Sequence, residues 1–79
     1  MGTKNEPGRF DCYQNAEPDE PMFVLLGRDR NAPWLVKTWA ALRRLAGEDE
    51  AVLMEAEECA KSMAEWCRKL GKEPEPPIG

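Results

Sequence analysis

Histidine is absent from these 79 residues, and serine occurs once, at Ser62. The Ser-His and Cys-His nucleophile pairs of acyl-transfer enzymes therefore cannot be assembled. Gly27, Gly47 and Gly71 stand far apart, so there is no glycine-rich loop to cradle a phosphate. The longest apolar run is only residues 22–26, against the ~20 residues of a membrane span. The first ten residues lack the apolar core of a secretory signal. Glu6 stands where a myristoylation signal needs Ser or Thr. Cysteine is sparse and odd in number, at Cys12, Cys59 and Cys67. A complete disulfide framework is excluded, and no CxxC or other zinc spacing occurs. Cys59 and Cys67 lie about 12 Å apart along one helix, too far to bridge. Cys59 reads as a small core residue, and Cys12 and Cys67 as partly exposed thiols. The expectation is a cytoplasmic protein with reduced cysteines, no metal, no cofactor, no membrane contact and no catalytic activity. Paired carboxylates could do acid–base chemistry, but so short a chain has little room for a water-excluding cleft.

The charge that is present is uneven. Residues 1–46 hold seven bases and six acids, a net +1, and residues 47–79 hold four bases and nine acids, a net −5. The total of −4 disfavours non-specific binding to nucleic acid or anionic lipid. One domain is expected, with a limited core of its own, so that a partner or a second copy would help to stabilise it.

The clearest pattern is an apolar stripe of Val52, Ala56, Cys59, Met63, Trp66 and Leu70, spaced four, three, four, three, four. That is the rhythm of a helix packed along another helix. Asp49 is a capping residue, Glu50 and Glu55 favour the helix start, and Lys69 with Gly71 closes it. Glu57–Lys61 and Glu65–Lys69 are supporting pairs four residues apart. A second helix begins at Asn31 with Pro33 in its first turn and stops at Gly47. Its core face is read as Leu35, Trp39, Leu42 and Ala46.

The fold class is therefore all-α: an antiparallel helical hairpin of about 32–46 and 49–70. Counting outward from the short loop pairs Leu45 with Val52, Leu42 with Ala56, Trp39 with Cys59 and Leu35 with Met63. Large side chains then face small ones. The longer helix overhangs the shorter one, leaving Trp66 and Leu70 to be covered. Residues 20–27, opened by Asp19-Glu20-Pro21, read as a short helix or an edge strand packed on that open end. Residues 1–18 form a flexible arm, 19–71 the helical domain, and 72–79 a proline-rich disordered tail.

Two features invite a partner. Glu48, Asp49, Glu50, Glu55, Glu57 and Glu58 fall within eleven residues that contain no base. They read either as a base-seeking surface or as a solvated helix start complementing the helix dipole. Trp34 flanks the main face of its helix and reads as an interface anchor or as core.

The stretch Asp19-Glu20-Pro21-Met22-Phe23-Val24-Leu25-Leu26-Gly27-Arg28-Asp29-Arg30-Asn31-Ala32-Pro33, followed by Leu35-Val36 and Trp39-Ala40, resembles small orphan proteins encoded by phages and prophages. Their pattern runs DEP-x-F-x-L, an Asp, Ala-Pro, an apolar residue and Trp-Ala. The resemblance covers about residues 17–68, and Gly27 departs from the alanine that pattern carries. It implies a setting: small acidic phage proteins include inhibitors of host defence, among them anti-CRISPR proteins that block a surveillance complex.

The leading expectation is a non-enzymatic protein-binding module, an inhibitor of a host nucleoprotein defence complex. Its acidic surface would oppose the basic residues that hold nucleic acid. The alternative is a structural or regulatory homo-oligomer joined through Trp34, Trp66 and residues 23–26. A third reading, direct nucleic-acid binding by Arg28, Arg30, Arg43 and Arg44, is the least favoured.

Overall fold

The computed structural model describes residues 1–77 and holds three helices and no strand among them. These are α1 (Cys12–Asn15), α2 (Ala32–Leu45) and α3 (Glu50–Lys69), and α2 packs against α3. The radius of gyration is 12.8 Å, near the ~12 Å of a folded chain of this length. No helix is long and apolar enough to cross a membrane.

The helix boundaries follow from local chemistry. The Asp49 carboxylate accepts a hydrogen bond from the Ala51 N–H at 2.9 Å, capping α3. Asn31 starts α2 without a side-chain cap, and its amide donates instead to the Glu75 carbonyl. Both long helices end alike. Beyond α2, Gly47 takes φ +86° while Gly47 N–H donates to Arg44 O and Glu48 N–H to Arg43 O. Beyond α3, Gly71 takes φ +80° while Gly71 N–H donates to Arg68 O and Lys72 N–H to Cys67 O. Each is a Schellman closure, which needs a residue at ease in the left-handed region.

The contact between α2 and α3 sets alanines around one leucine, Leu53. Ala40, Leu53 and Ala56 form the buried cluster, with Val36 and Met1 packed against it. Ala32, Ala60 and Cys67 are also buried, and Leu53 and Cys67 are the largest side chains with no exposure. This corrects the expected pairing. Leu35, Trp39 and Leu42 stay exposed, Val36 and Ala40 pack with Leu53 and Ala56, and Ala32 is buried on the same side of α2. On α3 the buried face is Leu53, Ala56, Ala60 and Cys67 rather than Val52, Cys59, Met63 and Trp66. Each helix is turned by about one residue, or 100°. Alanine lets two helix backbones approach closely, and the spacing between axes depends on the side chains at the contact. Trp39 at that seam would hold them apart. Cys67, read as partly exposed, is the buried thiol, and Cys12 and Cys59 are exposed and half-buried.

The segment 20–27 is also corrected: it is neither helix nor strand. Too few residues separate Pro21 from Gly27 to support an isolated helix, and a strand there has no ladder to join. The Glu20 carboxylate accepts from the Glu17 N–H instead. Gly27 lays its backbone against Trp66, with room for a Cβ only at van der Waals contact, 3.4 Å from the indole. Leu25 is half-buried, while Phe23 and Val24 point outward.

The two ends of the chain are tied to the helices. The Met1 ammonium donates to the carbonyls of Pro7 and Phe10. Arg9 and Phe10 donate their backbone N–H groups to the two Glu55 oxygens, at 2.7 and 2.9 Å. The tail runs extended past the start of α2. Arg30 Nε donates to the Glu73 carbonyl, Glu75 N–H donates to the Arg30 carbonyl, and the Arg30 guanidinium lies 3.4 Å from the Glu75 carboxylate.

Candidate functional site

Five of the six clustered acids are occupied within the molecule. Glu48 pairs with Arg43 at 3.1 Å. Asp49 caps α3. Glu50 and Glu57 both reach Arg44, at 3.2 and 2.9 Å. Glu55 holds the N-terminal arm. The hydrogen bond that Arg44 donates to Glu57 and the charge of that carboxylate, then the same two effects at Glu50, raise the pKa of the Arg44 guanidinium above its ordinary value, and it stays charged at any working pH. Glu57 thus turns across to α2 rather than along α3 to Lys61, and Lys69 lies over the Trp66 ring, 5.7 Å from its centre. Glu58 is exposed at the edge of a groove described below. These half-exposed pairs add little to stability. Their larger effect is to cancel the basic end of α2 against the acidic start of α3.

The bases show the same pattern. Arg30, Arg43 and Arg44 are each paired with a carboxylate. A nucleic-acid contact by these arginines would have to displace acids already seated on them.

Trp34, the seventh sequence-derived candidate, lies on the outside of α2 and is 41% exposed. Lys37 sits over its ring at 5.5 Å, and the Thr38 hydroxyl donates to its backbone carbonyl at 2.8 Å. The structure gives it neighbours that the sequence reading had placed in the core. Leu35 is 37% exposed, Trp39 42%, Leu42 61% and Leu45 87%. At 100° per residue, Trp34, Leu35, Thr38, Trp39, Leu42 and Leu45 fall within about 140° of one another around the axis. No charged residue has its Cα within that arc, but the Lys37 side chain reaches over Trp34 at one edge of it. The outward side of α2 is thus a largely apolar strip bordered by one ammonium group.

An apolar concavity lies along α3. Cys59 and Met63, expected to meet α2, instead line a groove of about 800 Å³ with Trp66 and Leu70, the two residues expected to overhang α2, and its other wall is Leu25, Leu26 and the chain start. Lys4, Arg28 and Glu58 stand among its lining residues, so its charge is mixed. No group of three or more His, Cys, Asp or Glu side chains among the described residues converges on a metal-sized site.

No protein-family model, curated protein or solved structure matches the chain.

A signal for the α2 strip was present in the sequence. Ala32, Val36 and Ala40 recur at four-residue spacing, and so do Ala56 and Ala60. Small residues repeated on both helices mark a close seam, and the bulky residues one position away are then left outside.

Proposed function

We propose that this chain is a non-enzymatic protein-binding module, a helical hairpin of α2 and α3 that docks its partner on the outward side of α2. The observation that carries the reading is the apolar strip of Trp34, Leu35, Trp39 and Leu42, exposed although its residues are the kind that folding normally buries. Contiguous apolar surface on a small protein marks an interaction site, and tryptophan is the residue most often found anchoring one. The acidic surface is the weaker candidate, because five of its six carboxylates have partners in the molecule. For an inhibitor of a host nucleoprotein complex, the setting implied by residues 17–68, the contact accordingly moves from the acidic cluster to α2. Reversing Glu55, Glu57 and Glu58 together would be a poor test of that contact. It would release the N-terminal arm and unseat Arg44 as well as change the surface charge.

Site-specific cross-linking in the producing cell tests the reading. A photoreactive phenylalanine analogue replaces Thr38, at the middle of the strip, or Glu58, in the acidic cluster. The expected result is a covalent adduct to another protein from position 38 and none from position 58, read by mass spectrometry. Adducts from position 58 alone, or none from either position, would overturn it.

A further inference from the structure

We infer that the chain has a second docking surface, apart from the outward side of α2. Residues 22–26 take up an extended stretch of another protein as an added β-strand, on the edge that faces α1.

The backbone decides which kind of ligand fits. From Glu20 to Leu26 the chain makes no turn or bend, and no residue but glycine has a positive φ. Among the described residues, none accepts a hydrogen bond from an N–H of residues 22–28, and none donates to a carbonyl of residues 21–25. A row of open donors and acceptors is a template for a strand from another chain. Phe23 and Val24 are strand formers, and with Met22 and Leu26 they stand exposed. A lipid chain or a packed helix would cover the side chains and leave the peptide groups unmatched. An extended peptide matches both.

The surroundings decide what that peptide carries. In strand addition the backbone gives affinity, and pockets for alternate side chains give selectivity. One such pocket is present. Cys12, Asn15, Ala16, Pro21, Met22 and Phe23 line a hollow of about 380 Å³ between α1 and the segment, with Glu20 beside them. None of these residues borders the groove along α3. The volume lies at the lower end of ligand sites, ~300–1,000 Å³, and suits a side chain of the added strand. Charge then selects what flanks it. Residues 11–20 hold Asp11, Glu17, Asp19 and Glu20 and no base. None of the four has a cation within ion-pair reach among the described residues. The occupant is therefore extended, apolar at alternate positions and flanked by Lys or Arg.

Selection from a yeast-displayed library of random heptapeptides against the full chain provides the test. Enriched peptides should carry β-branched or aromatic residues at alternate positions and Lys or Arg at one end. Successive N–H groups of a strand point to opposite edges. N-methylation of one alternate set of amides in the tightest peptide should therefore weaken binding about tenfold or more, and N-methylation of the other set should not. That readout leaves the protein unaltered. On the protein, Phe23→Pro and Val24→Pro should differ in the same way, since one removes a donor from the paired edge and the other from the far edge. Glu17→Gln together with Asp19→Asn should remove the preference for a basic end. Met54→Glu, exposed on α3, should leave binding unchanged. The absence of any enriched peptide overturns the inference. So does binding that no N-methyl group weakens, or binding as tight to both proline variants as to the parent chain. The α2 reading stands or fails separately: adducts from position 38 test that strip, and peptide binding tests this edge.

Discussion

Glu55 is the residue on which the placement of the first ten residues turns. Its carboxylate accepts two backbone N–H groups, from Arg9 and Phe10, and charge-assisted bonds of this kind are the stronger ones. Glu55→Ala should detach the arm at a cost of about 1–3 kcal/mol. Chemical denaturation reads the loss, and hydrogen exchange at Arg9 and Phe10 should rise with it. Unchanged exchange there would mean that something else holds the arm. Gly8 supplies an independent version of the same test. It sits at φ +83°, and a Cβ there would collide with the Glu55 carboxylate and the Met1 carbonyl. Gly8→Ala should therefore accelerate the same amides without altering Glu55 itself. The sequence marks Glu55 as an acid near a helix start and no further. Its bond partners lie 45 and 46 residues away, and no periodic pattern records a contact at that separation. The capping role of Asp49 is local, and it was legible.

For the helices, extent was legible and orientation was not. The sequence reading put the two long helices at about 32–46 and 49–70, against Ala32–Leu45 and Glu50–Lys69, because proline, glycine and capping aspartate act within one turn of themselves. Which side of each helix faces its neighbour is a choice between competing surfaces. On α2 both Leu35-Trp39-Leu42 and Ala32-Val36-Ala40 repeat at helical spacing, and hydrophobicity favours the bulkier set. Close approach of the two backbones decides the other way. This assignment predicts opposite outcomes for substitutions that look alike. Leu53→Ala, at a fully buried site, should cost about 2–5 kcal/mol. Ala60→Leu, which overfills the seam, should cost about 1–3 kcal/mol. Leu42→Glu, on the outside, should cost the monomer no more than ~0.5 kcal/mol. Thermal unfolding of the three variants gives the ranking, and a large loss for Leu42→Glu would return that residue to the core.

At the scale of the whole molecule, part of the uneven charge of the two halves is neutralised where they meet, in the pairs Arg43–Glu48, Arg44–Glu50 and Arg44–Glu57. Composition could state the imbalance but not these pairs, which depend on α2 and α3 lying side by side. The tail belongs to the same scale, joined to the start of α2 through Arg30 and Asn31. These contacts are exposed, so ending the chain after Gly71 should lower stability by less than about 1 kcal/mol, as measured by denaturant midpoint. A larger drop would make the tail part of the fold. One consequence remains in the seam of alanines. Methyl against methyl holds two rods close but barely distinguishes one setting along their length from the next. A slide of four residues, about 6 Å, would bring Ala60 to the place of Ala56. The short link from Ala46 to Asp49 and the clasp of Arg44 on Glu57 act as a vernier, fixing position rather than supplying strength.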